Sequence, residues 1–124
     1  MSMWTKDELD RIAASDDLHI AALREDRKTY GTLTWVWSVV VNGDLYVRAY
    51  NGKASRWYQA AILQGLGRIT VAGTARDVCF QPTAGAIVDQ VDDAYRNKYR
   101  ESAYLAPMIG ERARQATLRI VPED

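Results

Sequence analysis

The stretch LTWVWSVVVNGDLYVRAY, Leu33 to Tyr50, constrains this chain more than any other. Leu33 to Val41 is rich in β-branched and aromatic residues, and Leu45 to Tyr50 resumes the pattern after a break, which reads as a β-hairpin. Asn42-Gly43-Asp44 supplies the turn, because asparagine and glycine enter positive φ at little cost. Side chains alternate along a strand, so Trp35, Trp37, Val39 and Val41 share one face and Thr34, Val36, Ser38 and Val40 the other. On the returning strand Leu45, Val47 and Ala49 point one way, and Tyr46, Arg48 and Tyr50 the other.

The remaining segments fit around this hairpin. Thr5 followed by Glu8 forms a capping-box pair ahead of Leu9, Ile12 and Ala13, which predicts a short helix ending near Ser15-Asp16-Asp17. LHIAAL, Leu18 to Leu23, reads as a strand, and REDRKTYG as a charged loop. ASRWYQAAILQ predicts a helix of about three turns, stopped by Gly65 and Gly67. RITVAG and RDVCFQP alternate and predict a second hairpin around Gly73 to Asp77, closed by Pro82. Ile87, Val88, Val91, Ala94, Tyr95 and Tyr99 lie on one helical stripe, so 84–100 is an amphipathic helix. A shorter helical piece, broken by Pro107 and Gly110, covers Tyr104 to Gln115, and ATLRIVP supplies a last strand. Strands arriving as hairpins with helices inserted predict an antiparallel α+β domain. They are too many for one face-covered sheet in so small a chain, which favours a partly closed barrel. One domain over 1–124 is expected, with 1–16 as an N-terminal helical extension.

Sixteen basic residues balance sixteen acidic ones among 124, so no overall field favours nucleic acid or an anionic membrane. The balance is uneven along the chain. Residues 31–80 hold Arg48, Lys53, Arg56, Arg68 and Arg76 against Asp44 and Asp77, a local excess of +3 that suits a small anionic ligand. The single cysteine, Cys79, rules out an intrachain disulfide and lies in an alternating run, where a buried inert thiol is expected. His19 is also alone, which argues against a zinc site or a Ser-His-Asp triad. No apolar run approaches the roughly 20 residues that span a bilayer. The beginning MSMWTKDELD is too acidic and polar for a targeting peptide, so the cytoplasm is the expected compartment.

Three cations of the +3 region gather in RAYNGKASRWYQAA. Ser55 is positioned as an N-cap, so the helix beyond it would turn its first N–H groups toward Asn51–Ser55. That end carries partial positive charge, yet Arg48, Lys53 and Arg56 surround it, and cations there are unfavourable unless an anion sits among them. Two readings compete. In one, Arg48, Lys53, Ser55 and Arg56 converge on a phosphate, with Trp57 available to stack on a ring. In the other, Lys53 and Arg56 are solvated turn residues, Arg48 pairs with Asp44 or Asp77, and Trp57 and Tyr58 anchor the core. Downstream, Tyr95 and Tyr99 stand one turn apart among Arg96, Lys98 and Arg100, which reads as a helix with a solvated basic face. Asp89, Asp92 and Asp93 on that helix read as solubilising charges, without metal-site spacing. Trp35, Trp37, Tyr46 and Tyr50 are expected to pack the barrel or a subunit contact. No dinucleotide fingerprint or Walker loop occurs.

WVWSVVVNGDLYVRAYNGKASRWY, GRITVAG, VCFQP and DDAYRNKYRESAYLAPMIGERARQATLRIVP together resemble a domain-of-unknown-function family of small bacterial proteins. That family is similar to the FMN-binding split barrels, which include pyridoxamine-phosphate-oxidase-like and deazaflavin-dependent nitroreductase-like proteins. The resemblance covers about residues 30–122 and is most specific from Ala94 to Pro122. It implies a six-stranded antiparallel split barrel flanked by helices, and a homodimer with ligand clefts at the subunit boundary. It also implies an FMN or deazaflavin phosphate held by Arg48, Lys53, Ser55 and Arg56, with Trp57 nearby and no metal. The function expected from it is flavin-type cofactor binding, with oxidoreductase activity. The alternative is a non-enzymatic small-ligand-binding or dimeric interaction module that keeps the barrel and lacks the cofactor.

Overall fold

Among the described residues, 3–71 and 73–123 of the computed structural model, seven strands form one antiparallel sheet. They are β1 (Leu18–Ala22), β2 (Thr34–Val36), β3 (Ser38–Val41), β4 (Asp44–Arg48), β5 (Leu66–Val71), β6 (Thr74–Pro82) and β7 (Thr117–Pro122). Five helices accompany them: α1 (Lys6–Ala13), α2 (Arg56–Gln64), α3 (Ile87–Lys98), α4 (Leu105–Met108) and α5 (Glu111–Arg114). The spatial order is β2-β1-β5-β6-β7-β4-β3.

The two edges of that sheet, β2 and β3, are neighbours in sequence with only Trp37 between them. The chain therefore passes from one edge to the other and nearly closes the sheet into a barrel. This corrects the expectation of a single strand over Leu33–Val41, and with it the count of six strands. β2 pairs with β1 and β3 pairs with β4, so the segment must change partners midway. Alternation survives the change. Val36 and Val40 pack in the inner core, while Trp37, Val39 and Val41 pack in the outer one.

The inner core fills the barrel with Leu18, Ile20, Leu45, Val47, Ile69, Val78, Leu118 and Ile120, all essentially inaccessible to water. Tyr58 and Ala61 of α2 and Leu9 and Ile12 of α1 pack into the same cluster. α1 begins as its capping box requires: the Glu8 N–H donates to Thr5 Oγ1 at 3.1 Å, and the Thr5 N–H donates to Glu8 Oε1 at 3.0 Å. Ahead of it, the Trp4 indole N–H donates to the Ile120 carbonyl at 2.8 Å. The outer core lies between the barrel wall and α3, where Val91, Tyr95 and Tyr99 cover Val39, Val41 and Tyr46.

Both hairpins form. Asn42 and Gly43 have φ of 52° and 82°, the pair of left-handed residues that a two-residue turn matched to strand twist demands. The second hairpin is tighter than expected: Val71 pairs with Thr74, so Thr74 to Asp77 belong to β6 rather than to the turn. At Gly67 in β5 a Cβ would stand 2.4 Å from the Ala21 carbonyl oxygen and 2.7 Å from the Phe80 ring, so β1 and Phe80 close over a position without a side chain.

Candidate functional site

Three segments surround a cleft of about 640 Å³ on the barrel wall. β2 and the partner-change residue contribute Thr34, Trp35, Val36 and Trp37; the connection from β4 into α2 contributes Tyr50, Asn51, Ser55, Arg56 and Trp57; the α4 region contributes Tyr104 and Met108. Five of these are aromatic, and no acidic side chain lines the cleft among the described residues. Its volume falls within the range of sites that enclose small organic ligands. Trp35 and Tyr104 are 54% and 62% exposed, far more than large apolar groups usually are in a finished surface.

Local structure explains how α2 reaches the cleft. After β4 the chain turns through Asn51 and a single 3-10 turn, Gly52–Ala54, into Ser55. Gly52 is buried with φ of +72°, and a Cβ there would lie 2.6 Å from Arg112 Cγ and 3.0 Å from the Arg112 carbonyl oxygen. Only glycine fits both the left-handed backbone and the approach of α5. Arg112 in turn donates from Nε to the Tyr50 carbonyl at 3.2 Å and covers the Tyr50 ring, with its guanidinium carbon 5.6 Å from the centroid. Tyr50 meets Tyr104 edge to face at 6.1 Å. The segment 104–115, a helical fragment in sequence, thus builds one wall of the cleft.

Ser55 takes the N-cap position of α2 with extended backbone, but its hydroxyl makes no capping bond. The early N–H groups of a helix have no partner within the helix itself, so this start offers donors beside a hydroxyl. Arg56 is exposed, and Trp57 is half-buried. Of the five residues expected to bind a phosphate-bearing ligand, Ser55, Arg56 and Trp57 line the cleft together.

Lys53 and Arg48 are placed differently. Lys53 is exposed and is not among the cleft-lining residues. Arg48 borders the cleft but is 1% exposed, and its guanidinium is engaged within the protein. Nε donates to Thr117 Oγ1 at 3.0 Å, one terminal nitrogen to the Asp92 carboxylate and to the Met108 carbonyl at 3.1 Å, and the other to the Val88 carbonyl at 2.9 Å. Its charge is answered by Asp92, not by Asp44 or Asp77. Asp92 is itself 4% exposed and accepts from Arg114 as well, so it is no solubilising charge. It occupies the buried stripe of α3, four residues after Val88 and three before Tyr95; a carboxylate in that stripe, facing a strand arginine, was the signal for the pair.

The basic face expected around Tyr95 and Tyr99 is also partly internal. Lys98 Nζ donates to the carbonyls of Ser15 at 2.7 Å, Ser38 at 2.8 Å and Ile12 at 3.4 Å, fastening the end of α1 to β3. Burial pulls its ammonium down to about 8, against the smaller opposing pull of Asp16. Burial pushes the Tyr99 phenol up to about 12 and raises that of Tyr95.

Fold and cleft define an antiparallel α+β barrel of the split-barrel kind with an aromatic cleft free of acids on its wall. The chain belongs to the family described as "Uncharacterized protein conserved in bacteria (DUF2255)", whose model matches residues 8–120. No curated protein matches it. Among solved structures it is similar to that of the conserved hypothetical protein Rv2991 from Mycobacterium tuberculosis, with a TM-score of 0.68 and 15% sequence identity over 99% of this chain and 83% of that one. At that identity the likeness is one of fold. No helix among the described residues is long and apolar enough to cross a membrane.

Proposed function

We propose that the cleft binds a flat aromatic ligand carrying an anionic group, a flavin-type cofactor (FMN or deazaflavin), and that the protein is an oxidoreductase of the cytoplasm. The observation that carries this reading is the composition of the cleft: Trp35, Trp37, Tyr50, Trp57 and Tyr104 around about 640 Å³, with Ser55, Arg56 and an uncapped helix start offering donors to an anion. Arg56 and Ser55 would hold the phosphate, and the aromatic side chains would shield the ring. When bound, such a cofactor supplies the redox chemistry itself, so the chain needs only to bind, orient and exclude water. That division of labour fits a cleft without an acid or a histidine.

Exposed Trp35 and Tyr104 at the cleft, with exposed Leu33 two residues before Trp35, are the surface that a second copy would cover, and a homodimer with the cleft at its boundary follows from this reading. The test compares FMN with riboflavin, which lacks the phosphate. Arg56→Ala is expected to weaken FMN about tenfold or more while leaving riboflavin nearly unchanged, as loss of a charge-assisted contact requires. Equal losses for both ligands would remove Arg56 from any phosphate site. Failure of wild-type protein to bind either flavin would favour the interaction-module alternative.

A further inference from the structure

One aromatic side chain of the cleft, Trp37, is stacked on a ring of the outer core. Trp37 lies where the chain changes from β2 to β3, a position with no strand pairing of its own. α3 secures it twice. The Tyr95 hydroxyl donates to the Trp37 carbonyl at 2.9 Å. One turn later the Tyr99 ring lies parallel to the Trp37 indole, with centroids 4.0 Å apart and planes 3° apart. Tyr99 is fixed in its turn: its hydroxyl accepts from the Ser38 N–H at 3.3 Å, its ring meets Tyr95 at 5.9 Å, and the Lys98 ammonium sits 5.3 Å from its centroid. Tyr95 is covered by the Arg48 guanidinium at 5.4 Å. The Arg48–Asp92 pair, Tyr95, Tyr99 and Trp37 thus form a continuous stack that runs from the outer core to the cleft.

Tyr99 stacks on one face of the indole, and Trp37 is at the same time one of the residues that line the cleft. An indole already stacked on a parallel ring is an electron-rich surface restrained in advance, which lowers the ordering cost left on binding. We propose that Trp37 is the stacking surface of the cleft for an electron-poor planar ring, and that Tyr99 is the positioning residue that holds it there. This deepens the flavin reading and rests on it, and it gives Trp37 the role that the sequence had suggested for Trp57. The planarity of the ligand, more than its charge, is what this surface selects.

The experiment titrates wild type, Trp37→Leu, Tyr99→Leu and Tyr99→Phe with riboflavin and FMN, following flavin emission and long-wavelength absorption. Wild type is expected to quench bound flavin and to produce a charge-transfer shoulder. Trp37→Leu and Tyr99→Leu should each bind both flavins about tenfold more weakly, with emission regained. Tyr99→Phe keeps the ring and should restore both affinity and shoulder, which a merely structural tyrosine hydroxyl would not predict. Trp37→Phe, which preserves packing, shifts the shoulder and covers the case in which a leucine variant fails to fold. If wild type binds flavin but Trp37→Phe and Tyr99→Leu keep its affinity, emission and absorption, this proposal is overturned while the cofactor reading stands. If wild type binds neither flavin at about 100 μM, both fall.

Discussion

Replacing Arg48 separates a structural arginine from a ligand-binding one. The Arg48 side chain is fully buried and that of Asp92 is 6% exposed, so the two charges have left water almost entirely. Arg48→Met withdraws the donors on the Met108 and Val88 carbonyls and the Thr117 hydroxyl, and it leaves the Asp92 carboxylate with only Arg114, whose side chain is 31% exposed. Breaking one partner of a buried ion pair costs about 3–5 kcal/mol. At about 2.1 cal/mol/K of unfolding entropy per residue over 124 residues, this lowers Tm by about 12–19 °C. Asp92→Leu alone should fall in the same range, since it strands the Arg48 charge. The double variant Arg48→Met/Asp92→Leu should lose far less than the sum, because no uncompensated charge remains. Calorimetry of the four proteins at low and high salt measures this, and the coupling should survive salt because the pair lies beyond screening. A Tm for Arg48→Met within about 4 °C of wild type, a change of about 1 kcal/mol, would refute the reasoning. So would additive single losses. A phosphate ligand would behave the opposite way, leaving Tm intact and weakening FMN.

Three further outcomes are expected. Gly67→Ala forces a methyl group against the Ala21 carbonyl and the Phe80 ring and should destabilise by about 1–3 kcal/mol in urea unfolding, whereas Gly31→Ala, whose Cβ would meet the Ala22 carbonyl oxygen at an ordinary 3.5 Å, should show no such steric cost. Burial alone would raise the Glu8 carboxyl, but hydrogen bonds from the Thr5 backbone and hydroxyl, with the Arg76 and Arg11 cations, hold it below 4.5. Its stabilisation is therefore present above that value and lost as pH falls through the depressed folded pKa; Trp4 emission should report the loosening of α1 there, and Glu8→Gln should flatten the profile. Trp35→Glu should shift sedimentation toward monomer at the subunit boundary proposed above, and an unchanged monomeric wild type would remove the homodimer.

How much was legible in the sequence follows from the range of each interaction. Thr5 and Glu8, Asn42-Gly43, Gly65 and the stripe from Ile87 to Tyr99 act over a few residues, so capping, turns, helix ends and strand faces could be read directly. Even the two faces of Trp35 to Val41 held, because alternation is a backbone property that persisted through a change of partner.

Partnership across the fold was not legible. The break at Trp37 exists because β1 and β4, the partners of β2 and β3, lie toward opposite ends of one sheet, and no residue near Trp37 states this. Arg48, Lys53 and Arg56 carry the same charge within nine positions, yet one is buried against Asp92, one is exposed away from the cleft and one lines it. Charge and spacing place a cation in a segment, but only packing sets the solvent around it and the partner it faces. The amino-acid order by itself determined the elements and their faces, through forces that act within a turn or a strand. The closure of the barrel, the burial of one arginine and the assembly of five aromatic rings around one cleft were decided by contacts between segments far apart in the chain.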